Sequence, residues 1–338
     1  MTVARKHRVI ATSVTVVAAV VALSVFVRGQ GQQNEAARTA VAQAQGPARG
    51  ERGAGAAGQG RGEGRGRGPA MKITDPVITD PAVQNGGIDL HAHQDPDSNG
   101  PSYGQAARSD DAMDLYTRAK AAGMRGFVIK EHLDQSAGYA YYLRQLHPDM
   151  EIFGGMGSNF TTGAKVNPWA IIHMTEMRGG WGRIVWMPSW DSENSSHKVR
   201  NYDQRVPMLT KYFEKPYVSV ARNGELLPEV KQAIEVIATK KTRDSNGDLI
   251  LATGHNSPEE DVLKIKEAVK AGVKHIIITH PLLDVVDMTP AQIKQAVALG
   301  PEIYAEFTSQ FGSQNASAET VKHYVEGIRA AGVDHAFV

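Results

Sequence analysis

The sequence predicts a (β/α)8 TIM-type barrel, and three observations lead to that fold class. From Met71 onward, short apolar runs alternate with amphipathic segments, which is typical of parallel strands joined by crossover helices. Eight such runs fall within roughly 250 residues, which matches the strand count and length of this barrel. A doubly wound open sheet is the alternative, but no Gly-rich phosphate turn follows the first run at Ile88-Asp89-Leu90.

The individual elements are predicted from the apolar period and from the residues that flank it. The strands are residues 87–91, 126–130, 151–155, 183–187, 249–253, 275–279, 302–307 and 335–338. The helices include residues 110–122, 168–177, 228–239, 258–271 and 318–331. Ser257 is a clear N-cap, with Pro258 at the first helical position and Glu260 at the third. Three helices precede a glycine, as helix C-termini often do: Gly123, Gly272 and Gly332.

Residues 1–27 have the layout of a signal peptide or a signal anchor. Residues 1–8 are basic, and residues 9–27 carry no charge. Cleavage after Ser24 would leave small residues, Ala22 and Ser24, at the recognition positions. The uncut run would just span a bilayer, which needs about 20 apolar residues, and would anchor the chain to the inner membrane. In both cases the basic residues stay inside, so we expect an exported protein, periplasmic or secreted.

Charge divides the chain into a basic leader and a mildly acidic remainder. Residues 28–70 consist mainly of Gly, Ala, Arg and Gln, which predicts a disordered linker before a domain over residues 71–338. Residues 1–70 carry ten Lys/Arg and three Glu, so the basic charge is not on the predicted domain. This distribution argues against nucleic acid as a partner. Because the chain has no Cys, a metal site would use His, carboxylate or Lys-derived oxygen ligands.

Five of the twelve histidines lie at the C-terminal ends of predicted strands, where barrel enzymes assemble their active sites. These candidate metal ligands are His91, His93, His132, His255 and His280. His91 and His93 are two apart on one strand, so both should point to the same side and bind one cation. Asp89 has the same parity, and we expect its carboxylate to support one of these ligands. The other seven histidines are predicted to be structural or on the surface.

The ordered motifs resemble the amidohydrolase superfamily of metal-dependent hydrolases, and more closely an amidohydrolase-related bacterial family with no settled function. The resemblance covers about residues 86–338. It rests on GIDLHAHQDPD (87–97), GFVIKEHLDQ (126–135), FGGMGSNFTTGAKVNP (153–168), VWMPSW (185–190), ATGHNSPEE (252–260) and HIIITHP (275–281).

That resemblance implies one or two divalent metal ions, held by the paired histidines of the first strand and by histidines of strands five and six. Carried over, the ligands are His91, His93, His255 and His280. Zn²⁺ is the expected ion, with Mn²⁺, Fe²⁺ or Ni²⁺ as alternatives that imidazole also suits. The implied activity is hydrolysis of an amide, lactone or related bond in a small-molecule substrate, by water activated on the metal.

The sequence departs from the superfamily pattern at the bridging lysine. That residue follows the fourth strand in the superfamily, whereas here Lys130 lies on the second strand and strand four offers none. Lys130 shares parity with His132 and is predicted to be catalytic or to bind an anionic substrate group. A histidine after strand two also resembles the polymerase-and-histidinol-phosphatase family of phosphoesterases, where that histidine is a ligand. A phosphoester is therefore the alternative substrate.

A second departure concerns the Asp that the superfamily places after strand eight to move the proton of the attacking water. The chain stops at Val338, within the predicted eighth strand, so we expect the barrel to be truncated there. The carboxylates that could substitute are Glu306, Asp95 and Asp97. A barrel that binds metal or ligand without catalysis is the third hypothesis. The loops at residues 158–163 and 190–200 follow strands three and four and could shape a substrate pocket.

Overall fold

In a computed structural model, eight parallel strands alternate with helices. The structure describes residues 86–97, 110–132, 134–198, 217–308 and 316–338. The strands are β1 (Ile88–His93), β2 (Gly126–Lys130), β3 (Glu151–Gly157), β4 (Gly182–Trp186), β7 (Ile250–Ala252), β8 (Ile276–Ile278), β9 (Ile303–Glu306) and β10 (Ala336–Phe337). A small antiparallel hairpin, β5 (Ala221–Arg222) and β6 (Glu225–Leu226), lies between β4 and β7 in sequence. All eight predicted strands are therefore confirmed. The predicted leader and linker, residues 1–70, lie outside the described residues.

The strand order within the sheet is the order along the chain, so the sequence of strands never reverses. A doubly wound sheet needs such a reversal, and that alternative is wrong. The sheet curls into a half-barrel. The curl brings the Nδ1 atom of His91, on β1, to within 2.9 Å of the Oε1 atom of Glu306, at the end of β9. Among the described residues, no ladder of hydrogen bonds joins β1 to β10.

The helices are α1 (Ala112–Ala121), α2 (Ala137–Leu146), α3 (Pro168–Thr175), α4 (Glu193–Lys198), α5 (Pro228–Thr239), α6 (Pro258–Ala271), α7 (Pro290–Val297) and α8 (Ala318–Ala331). The bounds of α5, α6 and α8 are as predicted, and α1 and α3 are slightly shorter than predicted. None of the described helices has both the length and the apolar character needed to cross a bilayer.

The ends of α6 show why local sequence predicts its bounds. Ser257 and Glu260 form a reciprocal capping box, in which each side chain accepts a hydrogen bond from the other residue's backbone N–H. Gly272 ends the helix in the left-handed region at φ +83°. These interactions depend only on neighbouring residues, and they hold the N-terminus of α6 directly after the loop that carries His255.

The inner face of the curled sheet carries an apolar layer, and histidines lie at the C-terminal ends of its strands. Its apolar layer comprises Leu90, Val128, Phe153, Ile184, Trp186, Ile250, Ala252, Ile277 and Phe337. The outer face carries residues such as Phe127 and Ile129, which pack with residues of α1 and α2. The inner face therefore positions the candidate site.

The prediction that Asp89 shares the face of His91 and His93 is wrong, because β1 has a register shift between Asp89 and Ala92. Asp89 pairs with the outward-facing Phe127, whereas His93 pairs with Lys130 on the inner side. The shift breaks the two-residue alternation, so Asp89 and the histidines do not share a face. Asp89 is exposed, and its Oδ1 accepts a hydrogen bond from the backbone N–H of His91 at 2.9 Å.

Candidate metal centre

The structure brings the five predicted histidines together at the C-terminal end of the sheet. The ring centroids of His93 and His132 are 4.3 Å apart, and those of His91 and His93 are 5.0 Å apart. His91 lies 5.6 Å from His280, which in turn lies 4.8 Å from His255. Four strand ends therefore contribute imidazoles to one continuous cluster.

A carboxylate joins the first part of this cluster, formed by His93, Asp97 and His132. The Oδ2 atom of Asp97 lies 2.6 Å from His93 Nδ1 and 2.9 Å from His132 Nδ1. Its Oδ1 atom accepts a hydrogen bond from the backbone N–H of His132 at 2.9 Å. The ligand atoms of the three residues all lie within 4.8 Å of one another, so this group could hold a metal ion.

Electrostatics of the group favour the protonation states that metal binding requires. Burial lowers the pKa of His132 to about 3, and burial also lowers the pKa of His93. Burial alone would raise the pKa of Asp97, but hydrogen bonds from His132 and His93 bring it far below its usual value. At neutral pH the two imidazoles are therefore neutral and the carboxylate is ionised, which leaves lone pairs available to a cation.

The second part of the cluster is the pair His255 and His280, whose Nε2 atoms are 3.1 Å apart. Burial lowers the pKa of both imidazoles, that of His280 to about 4. Only one of two facing nitrogens in a neutral pair can donate, and in the described residues the Nδ1 atoms of both rings are buried without a hydrogen-bond partner. Two nitrogens on one tetrahedral Zn²⁺ are about 3.3 Å apart, as follows from Zn–N distances of about 2.05 Å. The pair therefore fits a shared cation.

Glu306 at the end of β9 connects His91 to the loop of His280. Its Oε1 atom lies 2.9 Å from His91 Nδ1, and its Oε2 atom accepts a hydrogen bond from the backbone N–H of His280 at 3.2 Å. Burial alone would raise the pKa of Glu306, but His91 and His280 bring it below its usual value. The predicted carboxylate is thus ionised and lies among the histidines.

The other two predicted catalytic residues have different surroundings. Lys130 faces the inner side as predicted, but it is only 1 % exposed. Its Nζ atom donates to the carbonyl of Glu131 at 3.0 Å and lies 4.5 Å from the centroid of the Trp186 ring. A substrate anion would reach it only after movement of this side chain. Asp95 pairs through its backbone with the segment before α1, its N–H donating to the carbonyl of Asp110 at 2.9 Å, whereas Asp97 joins the histidines.

Sequence reasoning missed three residues beside the cluster. Glu131 is buried, and burial followed by the charge of Asp97 raises its pKa to about 8. Asn159 donates from Nδ2 to the carbonyl of His132 at 3.0 Å and to Ser189 Oγ at 2.8 Å. Trp190 is partly exposed, and its ring lies 6.0 Å from that of His132 and 5.4 Å from that of His255. Asn159 and Trp190 belong to the two loops that the sequence predicts to shape a pocket, and their place in those loops could have identified them.

Comparison with known proteins places the chain in a family without assigning it an activity. No curated protein sequence matches the chain. Residues 86–304 match the sequence model described as "Family of unknown function (DUF6282)". The match covers more than half of the chain and includes His91, His93, His132, His255 and His280. The chain therefore belongs to DUF6282, a family of unknown function.

Proposed function

We propose that this chain is a metal-dependent hydrolase of the amidohydrolase type, built on a (β/α)8 barrel and acting on an amide, lactone or related bond of a small molecule. One observation carries the proposal. Five histidines from β1 and from the ends of β2, β7 and β8 meet two carboxylates, Asp97 and Glu306, at the C-terminal end of a parallel sheet. That end is where barrels of this kind assemble their active sites.

The donor set suits a divalent ion of the Zn²⁺, Mn²⁺, Fe²⁺ or Ni²⁺ class. His93, Asp97 and His132 form one ligand group, and the facing Nε2 atoms of His255 and His280 form a second. When bound, such an ion lowers the pKa of a water molecule to about 7 and polarises the scissile carbonyl oxygen.

The chain's own residues supply orientation and a proton acceptor. Glu306 holds the ring of His91 through its Nδ1 atom, as a carboxylate behind a metal-ligating histidine does. Of the carboxylates predicted to substitute for the superfamily's proton-moving Asp, Glu306 is the one that contacts both His91 and His280. We therefore assign to Glu306 the role of taking a proton from water and returning it to the leaving group, on exchanging its hydrogen bond with His91 for one with that water. Trp190 provides a partly exposed wall between the two ligand groups.

Phosphoester hydrolysis is the second candidate, and a specific contact favours it. His132 follows the second strand and shares the carboxylate of Asp97 with His93. This arrangement is what the polymerase-and-histidinol-phosphatase resemblance implies, since the histidine after the second strand is a ligand there. Phosphoesters therefore belong in the substrate panel beside amides, lactones and carboxylic esters.

Metal content and turnover of the purified full chain test the proposal. After chelation and reloading with Zn²⁺ or Mn²⁺, we expect stoichiometric metal, lost in His91→Ala and His255→Ala. His173→Ala is the matched control, because His173 lies on α3 and is exposed. Unchanged metal content in the two site variants would remove the site assignment. Stoichiometric metal without turnover of any substrate would replace the hydrolase by a non-catalytic binding barrel, and turnover of phosphoesters alone would favour the second candidate.

A further inference from the structure

We infer that Lys264 is a positioning residue for His255, and that with Asp261 and Asn256 it sets how firmly the centre holds a metal ion. The inference rests on the proposed function, because it takes His255 to be a metal ligand. Lys264 and Asp261 both lie on α6 and are 0 % exposed. Neither residue contacts the histidine directly in the described hydrogen bonds. They act on the turn that carries it.

The ammonium of Lys264 connects both ends of the turn around His255. Its Nζ atom donates to the carbonyl of Thr253 at 2.5 Å and to the side-chain oxygen of Asn256. The third partner is Asp261 Oδ1 at 2.9 Å. The ammonium thus donates two hydrogen bonds, to Thr253 and Asn256, and forms an ion pair with Asp261. Thr253 and Asn256 flank Gly254 and His255. The ammonium of Lys264 therefore holds the residue on each side of this pair.

The opposite side of the turn is held by the segment after β4. The N–H of His255 donates to the carbonyl of Pro188 at 3.0 Å, and the carbonyl of His255 accepts from Ser192 Oγ at 2.7 Å. The ring is left with Nε2 directed at the Nε2 of His280, 3.1 Å away. The N–H of Gly254 also donates to Thr279 Oγ1 at 3.0 Å. Loss of Lys264 would therefore leave the turn held by Thr279 and by the segment after β4, but without a contact to α6.

A purely structural role explains this ion pair less well. Replacing a buried ion pair by apolar residues of similar volume is often neutral for stability or even stabilising, because removing two charges from water is costly. Apolar residues would fill the same space beneath the turn. They would not donate to the carbonyl of Thr253 or to Asn256, so the contacts that hold the turn of His255 to α6 would be lost.

The double variant Asp261→Leu/Lys264→Met separates positioning from structural support. Removing both charges leaves no uncompensated ion, so the full chain is expected to fold, with a lower denaturation midpoint because Thr253 and Asn256 lose a hydrogen-bond donor. The control is Glu267→Leu/Lys270→Met, which removes an exposed pair with the same three-residue spacing on the same helix. The probes are Zn²⁺ affinity by calorimetry and, in the metal-free chain, hydrogen exchange of the His255 amide.

We expect the buried double variant to bind Zn²⁺ about 10- to 100-fold more weakly, as is typical when a group supporting a metal ligand is removed. Its His255 amide should also exchange faster, while the control pair matches the parent in both measurements. A folded variant with parental affinity and parental exchange would overturn the inference. If the double variant does not fold, Asn256→Ala provides the same test with the ion pair intact. If the parent binds no Zn²⁺, the proposed function fails, and amide exchange still reports on the turn.

Discussion

Gly254→Ala perturbs the position of His255 through the backbone alone. Gly254 has φ +78°, and a β-carbon at this position would lie 2.3 Å from the carbonyl oxygen of Met187 and 2.5 Å from that of Pro188. Both contacts are with backbone oxygens, which cannot rotate away as a flexible side chain would. The turn would have to move, and it carries His255 in the next position.

A second glycine separates the two causes of destabilisation. Gly272 has φ +83°, and no atom lies within 4 Å of a β-carbon built there. Gly272→Ala therefore measures the cost of a β-carbon in the left-handed region, about 1–2 kcal/mol. Gly254→Ala carries that same cost plus local strain from the clash, about 1–3 kcal/mol. The expected total for Gly254→Ala is about 2–5 kcal/mol, and the conformational entropy that the unfolded chain loses on replacing Gly by Ala is common to both variants.

Urea denaturation of the metal-free full chain measures both losses, and Zn²⁺ titration then reports on His255. We expect Gly254→Ala to lose more stability than Gly272→Ala and to bind Zn²⁺ more weakly, with Gly272→Ala binding like the parent. Equal losses of stability and equal affinities for the two variants would refute this reasoning, because they would mean that the turn adapts without moving the imidazole.

Two further predictions concern protonation and the carboxylate of β9. Burial lowers the pKa of His132 to about 3 and that of His280 to about 4. In the unfolded chain the pKa of a histidine is about 6.5, so below about pH 6.5 the unfolded state binds more protons than the folded state. Lowering the pH from 7 to 5 should therefore cost the metal-free chain about 2 kcal/mol for each histidine, and a urea midpoint that stays flat would contradict this. Glu306→Gln keeps the shape of the side chain but weakens its hold on His91, so calorimetry should show Zn²⁺ affinity lowered by about 10- to 100-fold; parental affinity would exclude the supporting role.

Local sequence was sufficient for elements whose limits depend on near neighbours. The capping box of Ser257 and Glu260 and the left-handed Gly272 delimit α6 as predicted. By contrast, α2 was not predicted. Its N-cap residue Ser136 makes no capping hydrogen bond, because the hydroxyl donates to the carbonyl of Ile129 instead. The six-residue helix α4 is too short to establish an apolar period.

The sequence by itself determined which end of the sheet carries the histidines. Parallel strands all end at one edge, so a histidine at the end of each predicted strand had to lie near the others. Tertiary structure alone decided which groups pair within that cluster. The register shift in β1 turned Asp89 away, and the path of the following loop brought Asp97 between His93 and His132. The packing of α6 against the sheet brought Lys264 to the turn that carries His255. These outcomes depend on contacts between residues far apart in the chain, which the periodicity of a sequence does not encode.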